Sequence, residues 1–392
     1  MAGRFFRDVG TAYAANALVG FIFAATGPVA IILAVGAQGG LTESDLSSWI
    51  FGAFFLNGLI SIAFCLFYRQ PLVFFWTIPG AVLVGPALGH LTFPEVIGAF
   101  IATGVLMLAL GLSGWVRRCT EAAPMPIVMA MVAGVFLRFG IGLVHAVRDE
   151  FAVVAPMVLA FIVLALWKKF EKIVPPLIGA MVIGIVFMFF FDKYNPGTTA
   201  MQLAPPNLYL PAFSWQAMIE LVVPLAITVL VVQNGQGFAV LSAAGHKPPI
   251  GAIAVACGAG SIVTAFVGSV STCLTGPVNA IISSSGEKNR HYTAGVLVGI
   301  LALAFGLLSP LFVRLLLSTP PAFIAALGGL AMLRVLQTAF GVAFGGKFAL
   351  GALVTFLVTV ADVPIFKIGA AFWGLVIGFA ISWLLERKDF KS

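Results

Sequence analysis

Two stretches decide the fold: QPLVFFWTIPGAVLVGPALG at residues 70–89 and GSVSTCLTGPVNAIISSSG at residues 268–286. The first opens on a short aromatic and β-branched run at 72–76, which reads as an extended strand, and residues 270–274 are the matching extended part of the second. Each then meets a proline–glycine pair, Pro79-Gly80 in the first and Gly276-Pro277 in the second, and continues as only a half-helix. These half-helices are expected at residues 80–88 and from 276 to near 283. Proline near a helix start is tolerated because the first N–H groups have no partner there anyway. Backbone broken in this way cannot face lipid and needs a cavity, a ligand or a neighbouring strand. Two half-helix N-termini would bring partial positive charge and open donors to mid-membrane, a place for an anion without a buried lysine. The competing reading is that Gly and Pro merely kink ordinary helices. Matching interruptions in both stretches favour half-helices.

The rest of the chain supplies the membrane. Of 392 residues, 61% are hydrophobic and 9% charged. A soluble domain of this size could not bury so much apolar surface, so an all-α polytopic membrane protein is expected. About fourteen segments are predicted. The first seven lie near 9–36, 46–67, 71–89, 95–116, 124–145, 151–168 and 174–191. The other seven lie near 214–243, 249–267, 270–285, 291–312, 321–343, 348–361 and 366–385. The longest polar connection runs from about 192 to 214, which leaves no room for a separate soluble domain. No cleavable signal peptide is evident after Arg4 and Arg7. Cys65, Cys119, Cys257 and Cys273 show no paired spacing and are expected to be free, buried thiols.

The chain also resembles itself. TGVLMLALGLSG from Thr103 aligns with VGILALAFGLLS from Val298, and the same offset carries Pro126 to Pro321 and Gly134 to Gly329. Residues 1–192 and 214–392 are therefore read as two repeats joined by a connection at 193–213, the layout of a secondary transporter. With the N-terminus inside, fifteen of the 21 basic residues fall on inner connections and four on outer ones. An inside N-terminus and seven segments per half force the second half to enter from the opposite side. The 7+7 repeat is thus inverted, and both termini are cytoplasmic. Scattered loop charge of this kind gives no sign of nucleic-acid binding.

Polar residues within the segments are the candidates for chemistry. Gln233, Asn234 and Gln236 form a cluster in segment 8; amides can hold a carboxylate, and they can equally bind helices together. Asn16 in segment 1 is a second-rank ligand, with packing its commoner use. Thr77, Pro79, Gly80, Thr275, Gly276 and Asn279 stand at the half-helix starts. Phe75 or Trp76 could pack on a flat apolar ligand, or simply fill the core. Arg138 and Arg334 interrupt the fifth segments of the two halves. Pairing with a carboxylate or snorkelling is favoured for them over holding an anion. Glu220 is the one carboxylate placed well inside a segment and is the candidate proton carrier, unless it lies at the outer interface. His90 and His246 read as loop or segment-end residues. HExxH, GxSxG and P-loop motifs are absent, as is a His/Cys metal set, so neither an enzyme nor a metal or other cofactor is expected.

Three strings, FFWTIPGAVLVGPAL, QNGQGFAVLSAAGHKPP and STCLTGPVNAIISSSGEKNR, resemble the BenE family of benzoate/proton symporters, and the likeness covers essentially the whole chain. The resemblance implies a bacterial inner-membrane protein that takes up benzoate or a similar aromatic carboxylate with protons. More distantly the layout is similar to UraA-type nucleobase transporters and sulfate/anion exchangers. That likeness implies a core domain, here about 9–116 and 214–312, moving against a gate domain, about 124–191 and 321–385, with a homodimer among the arrangements such relatives adopt. The acids that contact the base in the nucleobase family are replaced here by Gln233, Asn234 and the Thr275–Asn279 stretch. That suits an anionic substrate and leaves the proton site unassigned. An uncoupled anion channel or exchanger is the alternative.

Overall fold

Inside a bilayer each backbone polar group must be satisfied within the protein, so apolar runs of this length fold as helices. The computed structural model describes residues 2–116, 118, 124–166, 175–194, 203–284, 286–366 and 368–390. Among them, seven helices are long and apolar enough to cross a membrane: Thr11–Gln38, Glu43–Tyr68, Phe93–Ser113, Met125–Asp149, Trp215–Ala243, Lys288–Leu307 and Pro321–Ala343. Shorter apolar helices span Phe151–Leu166, Pro176–Phe190, Ile250–Ala265, Ala349–Ala361 and Ala370–Leu385. Cys65, Cys257 and Cys273 are buried and free; Cys119 lies outside the described residues, as do Lys168, Lys169, Lys172 and Lys367.

Three boundaries differ from the sequence expectation, each for a local reason. Thr11–Gln38 is not one smooth helix but breaks at Thr26. Pro28 has no N–H to continue the ladder, and the Thr26 hydroxyl instead donates back to the Ile22 carbonyl at 2.9 Å. Segment 11 ends at Leu307, and a separate helix, Ser309–Leu317, follows it with Pro310 in its first turn. The last helix starts at Ala370, after a turn in which Ile365 bridges Ile368. Two π-helical stretches, Met218–Val222 and Thr228–Gln233, flank Pro224 in Trp215–Ala243. Such bulges mark places where a helix is re-aimed, often at a functional site.

The broken stretches do contain strands. β1 (Phe74–Trp76) and β2 (Thr272–Leu274) form an antiparallel ribbon in which Phe74 faces Leu274 and Trp76 faces Thr272. Each strand feeds a short helix, Ile78–Leu88 after β1 and Gly276–Ile282 after β2. Around the ribbon, Phe93–Ser113 packs along Ile250–Ala265, Lys288–Leu307 along Asn57–Tyr68, and Met125–Asp149 along Pro321–Ala343. At the first of these crossings a Cβ on Gly258 would lie 2.5 Å from the Leu108 nitrogen, so only glycine permits the approach. The described part of the connection between the halves is stitched down: Ala204, Tyr209 and Ala212 donate backbone bonds to Leu307, Phe266 and Pro94. The Tyr209 hydroxyl also donates to Asp45 at 2.5 Å. Burial and that carboxylate raise the tyrosine's pKa.

His246, in the turn between two helices, is 5% exposed, with Nε2 3.1 Å from Nδ1 of His291. Burial, then His291, then Lys288 push its pKa from 6.5 down to about 4. The folded protein therefore holds this ring neutral while the unfolded chain protonates it. Its contribution to stability is complete above pH 6.5 and is lost as pH falls from 6.5 toward 4. The melting temperature of detergent-solubilised protein should drop across that window, and the drop should be shallower in His246→Asn.

Candidate functional site

A two-stranded ribbon this short leaves most of its backbone groups without a neighbour, and each would be costly to bury unpaired. Here buried side chains take them up. On the β1 side, the Val73 N–H donates to Asn279 Oδ1 at 3.0 Å, and Asn279 Nδ2 returns a bond to the Val73 carbonyl at 3.3 Å. The Phe74 N–H donates to Ser61 at 2.8 Å. On the β2 side, the Leu274 N–H donates to Asn234 Oδ1 at 2.8 Å and the Thr272 N–H to Ser261 at 2.9 Å. The Thr272 hydroxyl donates to Asn57 at 2.8 Å. Pairing also runs past the strands: the Thr77 N–H donates to the Ser271 carbonyl and the Thr275 N–H to the Val73 carbonyl.

The structure thus sorts the candidate ligands. Asn234 and Asn279, expected as substrate contacts, spend their amides on the strand edges. Thr77 caps the first half-helix, accepting from the Gly80 N–H at 3.2 Å and donating to Thr228 at 3.1 Å. Gly80 is required there: a Cβ would sit 2.9 Å from Leu225 and 3.2 Å from the Thr228 hydroxyl. Pro79 is buried in the first turn of the same helix. Phe75 and Trp76, each 3% exposed, lie in an aromatic block with Phe54 at 5.2 and 4.9 Å, continued by Phe305. Asn16 is half-buried on Thr11–Ala25.

Polar groups with no partner remain at both ends of the ribbon. Beside the first half-helix, Trp76 Nε1 and Ser271 Oγ are buried and make no hydrogen bond. Beside the second, Thr275 provides no side-chain cap, and Gly276 packs 2.8 Å from the Gln236 side chain through its Cβ position. Gln233, next to Asn234, is 6% exposed, and Thr275 is 9% exposed. Among the described residues, neither the Gln233 amide nor the Thr275 hydroxyl bonds to another group.

A second polar group lies at the far end of the first half-helix. Glu220, 5% exposed, accepts from or shares a proton with His90 at 2.8 Å. Gly369 packs on its carboxylate, where a Cβ would be 2.5 Å from Oε1. Arg138 pairs with Asp362 at 2.5 Å. Glu220, Arg138, Asp362 and Gly369 all line one narrow crevice of about 40 Å³, together with Gln38 and Pro86. That is room for water but well short of the 150 Å³ or so that takes a benzene ring. Arg334, by contrast, is exposed on Pro321–Ala343. Sequence reasoning passed over His90 and Asp362. His90 had looked like a segment end, and nothing local tied either residue to its distant partner. The ribbon's struts Ser61, Ser261 and Asn57 also carried no signal beyond being polar in apolar helices. Among the described residues no group of three or more metal-ligating side chains occurs.

An antiparallel ribbon feeding two half-helices, within a bundle of long apolar helices, is the fold of a membrane transporter. The transmembrane domain of the cyanobacterial bicarbonate transporter BicA superposes with a TM-score of 0.65 at 15% identity, over 95% of this chain and 98% of that one. SLC26A9 matches with a TM-score of 0.67 at 15% identity, over 94% of this chain and 64% of that one. The model of the BenE family, benzoate membrane transport protein, matches residues 9–384, and the chain belongs to that family. It is 29% identical to the inner membrane protein YdcO of Escherichia coli (strain K12), over 92% of this chain and 93% of that protein. It is 25% identical to the benzoate membrane transport protein of Acinetobacter baylyi (strain ATCC 33305 / BD413 / ADP1), over 92% of each. It is a membrane transporter, not an enzyme.

Proposed function

We propose that this protein carries benzoate or a similar aromatic carboxylate, with protons, across the bacterial inner membrane by alternating access. The observation that carries the reading is the set of buried, unmatched polar groups at the two ends of the ribbon. Trp76 Nε1, the Ser271 and Thr275 hydroxyls and the Gln233 amide can all donate to a carboxylate, and none brings a charge of its own. The half-helix starts at Thr77–Gly80 and Thr275–Gly276 add their dipoles. The aromatic block with Phe75 and Trp76 at its edge offers apolar packing to a ring. Glu220 with His90 is the proton site of this reading. A carboxyl sharing a proton with imidazole can load and release it without leaving a bare charge among apolar side chains.

Fourteen segments in an inverted 7+7 repeat, with both termini cytoplasmic, suit the same reading. The pairing of Phe93–Ser113 with Ile250–Ala265 and of Asn57–Tyr68 with Lys288–Leu307 is what an in-plane pseudo-twofold axis would relate. A core domain holding the ribbon would move against a gate domain built around Met125–Asp149 and Pro321–Ala343. The small crevice at Glu220 lies where those two groups of helices meet.

Uptake of labelled benzoate into proteoliposomes, with and without an inward proton gradient, tests this. Protein-free vesicles set the baseline, because benzoic acid itself permeates. Protein-dependent uptake should rise with the gradient. Protein-dependent uptake that ignores the gradient would sink symport and leave an uncoupled channel or exchanger.

A further inference from the structure

Away from the ribbon site, a basin of about 550 Å³ opens at the end of the molecule where Glu43–Tyr68 finishes. Arg69, Gln70, His246, Lys247, Lys288 and Asn289 line it, drawn from three connections distant in sequence, and no carboxylate does. Among the described residues none of its three cations forms an ion pair.

These cations are held in place. Arg69 adopts a left-handed backbone, φ 52°, as the cap of its helix, and its guanidinium rests over the Tyr292 ring at 5.5 Å. Lys288 lies across the turn at Gly245, its Nζ 3.6 Å from where a Cβ would be. Gln70 Nε2 donates to the Lys247 carbonyl at 3.0 Å, and Gln70 Oε1 is buried without a partner. Buried, near-neutral His246 forms the floor beside His291. Three like charges brought together around one opening repel each other, and a multivalent anion there relieves that repulsion. The unmatched Gln70 acceptor asks in addition for a hydroxyl donor, which a protonated phosphate or a glycerol headgroup provides.

We propose that this basin binds a phosphate group, from an anionic phospholipid headgroup or from free phosphate, and that the bound group ties the three connections together. Basic pockets at the ends of membrane helices suit such headgroups. Arg69 and Gln70 lead directly into the stretch that becomes β1, so the bound anion braces the ribbon from one side. The inference stands on the basin alone and does not need the transport reading.

The test is thermal melting of the full chain in neutral detergent at constant ionic strength. One arm adds sodium phosphate against sodium chloride; the other adds phosphatidylglycerol against phosphatidylcholine. A rise in melting temperature on the order of 2–4 °C in either arm is expected. A rise with phosphate assigns free phosphate; a rise with phosphatidylglycerol alone assigns the headgroup. Lys247→Gln and Lys288→Gln, both at exposed positions, should lose at least half of the rise, while Arg387→Gln at another surface keeps it. Native mass spectrometry of the same samples should show fewer retained phospholipids or phosphates in the lysine variants. No rise in either arm, or the full rise in both lysine variants, overturns the proposal.

Discussion

Glu220→Gln should abolish the gradient stimulation of protein-dependent benzoate uptake while leaving the protein folded and its downhill benzoate flux measurable. The substitution keeps the shape and a hydrogen bond to His90, now 2.8 Å from the carboxylate, but removes the exchangeable proton. One pH unit is worth about 1.4 kcal/mol per proton, roughly a tenfold concentration ratio. At one proton per benzoate that ratio is the one permeating benzoic acid also reaches, so coupling shows in the rate: wild-type proteoliposomes should take up benzoate faster under the gradient than protein-free vesicles, and Glu220→Gln vesicles should lose that stimulation. Gradient stimulation unchanged in the variant would remove Glu220 from the coupling mechanism. His90→Gln tests the partner: it should slow coupled uptake and move its pH profile, whereas a merely structural role would leave the profile in place.

Asn279→Leu should be the most destabilising single change near the site. It removes two buried bonds and strands the Val73 N–H in an apolar surrounding, while the Val73 carbonyl keeps the Thr275 N–H. The orphaned N–H costs on the order of 1–3 kcal/mol and the second lost bond about 1 more, so a loss of about 2–4 kcal/mol is expected. Thermal melting in detergent should show it as a clear drop, with benzoate binding lost as a consequence. Gln233→Leu is the contrast. Its amide holds no strand, so stability should barely change while benzoate affinity falls roughly tenfold, the worth of one charge-assisted hydrogen bond. If Gln233→Leu binds benzoate normally, the ligand does not sit at that end of the ribbon. The pair of variants separates scaffold from ligand contact, which the amide-rich sequence alone could not do.

Much of this architecture was legible beforehand. Strand, Pro-Gly break and short helix could be read at residues 70–89 and 268–286 because proline and glycine act locally, on the residues beside them. The membrane-spanning character of the long apolar runs follows from their length and composition. Interruptions inside those runs were harder. The π stretches around Pro224 and the break at Thr26 depend on which carbonyl finds which donor once the helices are packed.

At the site, the sequence by itself determined which residue types are available: amides and hydroxyls without a buried lysine, and a single acid, Glu220, well inside a helix. Only the tertiary structure decided their employment. Asn234 and Asn279 became struts because a three-residue ribbon cannot pair its own outer edges, and Gln233 and Thr275 were left over. His90 reached Glu220 across 130 positions of sequence, and Asp362 reached Arg138, because helix ends far apart in the chain meet in one crevice. Local backbone preferences are written in neighbouring residues. Pairing of buried polar groups is set by whichever distant segment the packing brings within 3 Å or so.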